Sequence, residues 1–174
     1  MLARYLVAQD GLSDFVGRAI SWLTLVMIGA LVWEIGARYF LNAPTVWAHE
    51  LSTMLYGGFC ILAGSYTLRH QGHVRSEVVY GLLPPRARAA CDVVVYVLAL
   101  VVLVVFLDMA IDFAATSWAA REYSARSIWQ PPLYPFKSVL PVAVGLLALQ
   151  VVAELLRALV RLAGRDDERL APRN

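Results

Sequence analysis

Val93-Val-Val-Tyr-Val-Leu-Ala-Leu-Val-Val-Leu-Val-Val-Phe-Leu107 is an apolar run in which no residue carries a charge. A helix at the surface of a soluble domain needs a polar face, and this one has none. Three further uncharged runs occupy residues 19–33, 51–68 and 138–153. A bilayer's hydrocarbon core takes about 20 helical residues to cross, and each run reaches that length once its flanks are added. The chain therefore reads as an all-α polytopic membrane protein. Its four transmembrane helices are expected at about 14–39, 47–68, 89–116 and 139–159.

Composition agrees. Of 174 residues, 60% are hydrophobic and 16% charged, with a mean hydropathy of +0.63; soluble domains carry about 25% charged residues. Four spans and their connections occupy almost the whole length, so no soluble domain is expected. What remains is a cytoplasmic N-terminal segment, 1–13, a membrane domain, 14–161, and a charged cytoplasmic tail, 162–174. The N-terminal segment holds Asp10 close to Asp14 and Arg18, and nothing after Trp33 resembles a cleavage site, so the first span is expected to stay attached.

The distribution of basic residues sets the orientation. Four spans put both termini and the middle loop on one side, which then holds 11 of the 15 basic residues, against 4 on the other. The excess of arginine near cytoplasmic span ends places both termini in the cytoplasm. In the middle loop, Ser76-Glu77 reads as a helix N-cap with an acidic first turn. Val78, Val79, Leu82 and Leu83 then share a face before Pro84-Pro85 stops the element, a short helix on the cytoplasmic membrane surface. The outer loop, 117–137, mixes Trp118, Tyr123, Trp129, Tyr134 and Phe136 with Pro131, Pro132 and Pro135, a composition expected to fold on the membrane surface.

Charge inside spans is costly and informative. Glu34 and Arg38 lie i,i+4, the favourable order for a helical ion pair. With Glu50, Asp108 and Asp112 they are expected near the outer ends of the spans, and Arg121, Arg126 and Lys137 follow in the outer loop. Such a group reads either as a proton or ion site or as a salt-bridged collar; the basic neighbours favour the collar. Trp47, Trp118 and Trp129 read as interfacial anchors or as a docking surface. Gly57, Gly58, Ala63 and Gly64 allow close helix approach, to a partner or within the chain. His49 stands at the outer end and His70 and His73 at the inner, which does not suit haem. Cys60 and Cys91 form no Cys-x-x-Cys pair and read as packing residues. No catalytic, cofactor-binding or metal site is expected.

The motifs in their order are more specific. Glu34-x-x-x-Arg38-Tyr-Phe is followed by Asn-Ala-Pro-x-x-Trp47-x-x-Glu50-Leu-Ser, then Gly64, then Arg69-x-x-x-His73-Val-Arg-x-Glu77. Leu83-Pro84 and Arg86 come next, then Trp129-x-Pro-Pro-x-Tyr-Pro-x-Lys137-x-x-x-Pro141 and Gly145-x-x-x-Leu-Gln150. Over nearly the whole chain this resembles the small, DctQ-like membrane subunit of tripartite ATP-independent periplasmic (TRAP) transporters. The acid after the histidine is Glu77 where the family more often has aspartate, and position 49 is histidine where relatives are often polar or acidic.

The resemblance implies a multi-pass inner-membrane subunit without enzymatic activity. It implies a large TRAP membrane subunit as partner and a periplasmic solute-binding protein that docks outside. Uptake of an organic acid anion would then be driven by a sodium gradient. Glu34, Arg38, Trp47, Glu50, Gly57, Gly64, Arg69, His73, Glu77, Trp129 and Lys137 are its structural or interface candidates. Membrane lipids are expected neighbours and nucleic acid is not. Two rivals stay open: a self-sufficient proton-coupled exchanger, for which Asp108 would carry the proton, and a membrane redox subunit.

Overall fold

A computed structural model of the chain describes residues 2–70 and 84–163. The surface helix expected before Pro84, with His73 and Glu77, and the tail beyond Ala163 lie outside these residues. Five helices appear in order: α1 (Leu2–Phe40), α2 (Ala48–Arg69), α3 (Pro85–Ala120), α4 (Tyr134–Lys137) and α5 (Val139–Leu162). They make up four segments long and apolar enough to cross a membrane, the single-turn α4 leading directly into the last. The protein is all-helical among the described residues, as its apolar runs dictate.

Helix lengths divide the bundle into two kinds of member. At 1.5 Å per residue, α2 and α5, with 22 and 24 residues, are about 33 and 36 Å long, close to a hydrocarbon core of about 30 Å. The 39 residues of α1 and 36 of α3 exceed it by about 20 Å or more. On α1 the excess lies at the amino end. Residues 2–13, expected as a separate segment, continue the helix of the first span, because Leu6, Gln9, Asp10 and Ser13 recur at helical spacing and are all buried. The second span starts where expected: Trp47 occupies the N-cap position, and Pro44 stays in the exposed loop before it.

Packing centres on α5, whose inner face buries Ala143, Val144, Val151, Ala153 and Ala158. It lies against α3 along one side and α2 along the other, and α1 packs mainly on α2. Direct packing of α3 against α1 or α2 is slight or absent among the described residues. The order across the molecule is therefore α1–α2–α5–α3, a row in which α1 also reaches α5, and its two outermost helices have broad unpartnered faces. Small residues set the internal spacing. A Cβ on Gly17 would run into the Tyr66 ring, so glycine lets the ring and α2 lie against α1 as they do. A Cβ on Gly57 or Gly58 would meet Phe136 at 3.7 Å, and one on Gly64 would meet Leu147 of α5 at 3.7 Å. The close approach these three allow is to the chain's own elements.

The outer loop is ordered, as its aromatics and prolines suggest. Arg121 caps α3 in the left-handed conformation at φ 45°. The chain then doubles back, with Ser124 N–H donating to Pro131 O (3.0 Å) and Leu133 N–H to Glu122 O (2.9 Å). Trp118 stacks on Tyr134 at 4.6 Å, and its Nε1–H donates to Ser138 Oγ (2.8 Å), tying the end of α3 to the start of α5.

Candidate functional site

Two charged belts, one at each end of the row, hold most of the polar chemistry of the described residues. On α2, Arg69 is nineteen positions after Glu50; on α1, Glu34 is twenty after Asp14, and Arg157 of α5 is twenty after Lys137 at the end of α4. Each interval is about 28–30 Å of helix, the thickness of the hydrocarbon core. The belts are thus spaced as the two boundaries of a membrane would be.

The outer belt is assembled from carboxylates. Glu34 receives the Arg38 guanidinium one turn later, with Arg38 Nε at 3.0 Å. Its other oxygen accepts from the Thr45 backbone N–H (2.9 Å) and hydroxyl, so the first span grips the loop into the second. Glu50, 8% exposed, accepts from the hydroxyls of Ser124 and Ser127 and thereby fastens α2 to the outer loop. Glu122 accepts from the Lys137 ammonium and from Ser117 Oγ (2.8 Å), while the same ammonium lies 4.2 Å from the centre of the Phe113 ring. Lys137 and Ser117 hold the Glu122 carboxyl below its ordinary value of 4.5. Beneath the loop a cavity of about 630 Å³ is lined by Met54, Gly57, Phe113 and Phe136, with Glu50 and Arg126 at its rim.

The inner belt is a buried network joining three helices. Arg157 of α5, with a side chain 5% exposed, bonds Asp10 of α1 at 2.7 Å and Glu154 at 2.5 Å. Arg69, at the end of α2, pairs with Asp14 and donates to the Asp10 backbone carbonyl at 2.9 Å. Above them, Ser13 Oγ donates to Gln150 Oε1 (3.0 Å), and Gln150 is fully buried. Asp92 of α3 faces Arg161 of α5 at 3.6 Å. Here guanidiniums do the joining: each presents several donors in a fixed fork and can hold two partners at once.

Set against the sequence expectations, the Glu34–Arg38 pair forms, but Glu50 is held by serines and not by a basic residue. Trp47 is half-buried at the α2 N-cap position and Trp129 is exposed on the outer loop. Asp108 and Asp112, expected within the collar, form no ion pair among the described residues: both are exposed on α3, and Asp112 lines a pocket with Glu122 and Lys137 of the outer belt. Arg69 anchors the inner belt. Sequence reasoning placed Gln150, Glu154 and Arg157 in the fourth span and Asp10 and Ser13 in the N-terminal segment, but did not bring them together. Their signal was present as i,i+4 and i,i+3 spacing on two faces, Asp10 with Asp14 and Gln150 with Glu154 and Arg157. Among the described residues no set of three His, Cys, Asp or Glu side chains is placed to hold a metal.

Comparison with known proteins supplies the family. Residues 27–161 match the model for tripartite ATP-independent periplasmic transporters, DctQ component. Over 66 residues the chain is 30% identical to the sialic acid TRAP transporter small permease protein SiaQ of Vibrio cholerae, a stretch covering 38% of each protein. Over 101 residues it is 25% identical to the sialic acid TRAP transporter permease protein SiaT of Haemophilus influenzae, covering 56% of this chain and 16% of that one. The matched stretches thus span less than two thirds of either relative. The family match takes in spans two to four and the carboxyl-terminal part of the first, with every outer-belt residue and with Arg69, Gln150, Glu154 and Arg157: this chain belongs to the DctQ family of TRAP transporter components.

Proposed function

We propose that this chain is the non-enzymatic small permease subunit of a bacterial inner-membrane TRAP system, with both termini cytoplasmic. It scaffolds a large transport subunit and helps to seat a periplasmic solute-binding protein, in a system that takes up an organic acid anion on a sodium gradient. The observation that carries this reading is the division between the belts. Apart from Asp108 and Asp112 on α3, the charge of the described spans is gathered at the two ends, where it fixes helices and loops to one another. A substrate path would instead need polar groups facing a cavity at mid-membrane. The outer belt holds an aromatic loop in a defined shape, which suits a docking surface. The carboxylate substrate named for the two relatives, sialic acid, is consistent with an organic anion but does not name this system's substrate.

The exchanger reading needs Asp108 in a proton path, and Asp108 lies on the face of α3 turned away from the bundle. The test of the proposal is reconstitution. The complex of this chain with its cognate large subunit, in proteoliposomes, should take up substrate only with the cognate binding protein and an inward sodium gradient. Uptake by this chain alone would overturn the reading. Cysteine labelling from outside should reach Ala125 and miss Ala171; the reverse would overturn the orientation.

A further inference from the structure

The carboxylates of the described spans fall into two groups. Asp10, Asp14, Glu34, Glu50, Asp92 and Glu154 each meet a guanidinium or a hydroxyl of this chain. Asp108 and Asp112 meet neither among the described residues, although both are exposed on a helix that crosses the membrane. Their depth follows from the fastened ends of α3. Asp108 lies nine residues before Ser117, about 14 Å of helix below the outer belt, and sixteen after Asp92, about 24 Å above the inner one. Asp112 is one turn nearer the outer surface. Their direction follows from helical periodicity. The face of α3 packed on α5 carries Tyr96, Ala110, Ala114 and Ser117, all buried. Asp108 projects from the opposite side, in line with Val94, Val97, Val101 and Val105, which are 44–59% exposed; Asp112 shares that side and also borders a pocket with Glu122 and Lys137.

Lipid does not suit this face. An ionised carboxylate facing acyl chains lacks both water and a counter-charge, which is why such groups in spans turn to partners or aqueous cavities. Valine is stiff at χ1, so a ridge of it gives up little side-chain freedom when another helix packs on it. From this complementarity we infer that the outward face of α3 is the docking face for a transmembrane helix of the large subunit, and that this helix presents an arginine or lysine to Asp108 and Asp112. The inference rests on the partnership proposed above and adds the face and the chemistry of the contact. It assigns the interface neither to the α2 glycines, which pack internally, nor to the apolar outer face of α1, which is suited to lipid.

Photo-crosslinking in membranes containing the assembled complex tests it. A benzophenone amino acid at Val101 or Val105 of α3 should capture the large subunit, and one at Trp22 or Val26 of α1 should not. Asp108→Arg should lower the co-purifying large subunit by about tenfold or more, as expected when a buried pair becomes a like-charge contact. The crosslinking arm needs no charge substitution, so it decides even if that variant fails to insert. Capture from α1 alone would overturn the assignment and leave the partnership standing. Capture of a second copy of this chain from α3 would overturn it in favour of a homodimer. No capture of the large subunit from any position would overturn both the partnership and the inference.

Discussion

The inner belt joins helices to helices, whereas the outer belt joins helices to loops. At the inner end, Arg157 and Arg69 connect α5, α2 and the extended start of α1 through side chains that are almost fully buried. At the outer end, Glu34 grips the loop before α2 and Glu50 grips the loop after α3, through carboxylates just as buried but bonded to loop hydroxyls and backbone and not to another helix. The contrast teaches a division of labour. Buried pairs that have lost their hydration must stay satisfied, so they hold the row of helices in register. Carboxylates that clasp loops set the shape of a surface, and losing one alters that surface without dismantling the row.

The largest expected effect tests the inner half of this contrast. Arg157→Met keeps bulk and removes the charge, leaving Asp10 and Glu154 without their shared partner. Breaking a buried pair from one side costs about 3–5 kcal/mol. Thermal unfolding in detergent should show the corresponding loss, with α1 detaching first. Asp10→Asn combined with Glu154→Gln in the Arg157→Met background should recover part of it, since no uncompensated carboxylate then remains. A variant as stable as the parent would show that the network is ornament.

Between the belts the register depends on packing alone, and Gly17 is where it can be broken. Gly17→Val would drive a branched side chain into Tyr66, which lies too close even for a Cβ. Overpacking of this kind costs about 1–3 kcal/mol. The Tyr66 ring is 38% exposed and has somewhere to move, so the lower half of that range is expected. Tyr66→Ala in the same chain should remove most of the penalty. If it does not, the clash involves the α2 backbone and the two helices are held more rigidly than the glycine contact implies.

How far each belt was legible in the sequence follows from the same contrast. Glu34 and Arg38 are four residues apart on one helix, so their pairing is local and readable. The aromatic and proline content of 117–137 likewise announces a folded loop. The inner belt depends on Asp10 meeting Arg157 across 147 positions, which no local pattern reveals. Its residues read instead as a polar amino terminus and a basic helix exit. The α3 span was legible as a span because it is apolar all round. For the same reason its inward face was not: Asp108, placed in the collar, lies on the face turned away from α5, while Asp112 borders the collar without pairing in it. Glu50 was assigned to the correct end of its span but not to its partners: serine gives no charge signal, and Ser124 and Ser127 stand more than seventy positions away.

A smaller effect is expected from Glu50→Gln at the outer belt. Glutamine keeps the shape and can still accept from one serine, but it lacks the charge that strengthens both bonds. The row of helices should remain intact by far-ultraviolet circular dichroism and by co-purification with the large subunit. Hydrogen exchange at residues 122–130 should rise and binding-protein affinity should fall. If Glu50→Gln instead dissociates the complex, the outer belt holds helices as the inner one does, and the contrast between them fails.

The smallest effect is the most selective, because it reaches the outer loop alone. Glu122 has its carboxyl held below 4.5 by the Lys137 ammonium first and the Ser117 hydroxyl second. A carboxyl whose value is depressed in the folded state stabilises that state fully above its unfolded value, about 4.3. That contribution is lost as the pH falls through the lower folded value. Between pH 8 and 5, then, the loop should be indifferent to acid; below about 4.3 it should begin to loosen at the Glu122–Lys137 contact. Trp118, stacked on Tyr134 and bonded to Ser138 beside that contact, is the reporter. Its fluorescence should shift in acid with helix content unchanged, best read in a Trp129→Phe background. Glu122→Gln should abolish the transition. A shift that persists in Glu122→Gln would belong to another carboxyl, Glu34 or Glu50 at the same boundary, and loosening of the loop would then begin at α1 or α2 instead of at the start of α5.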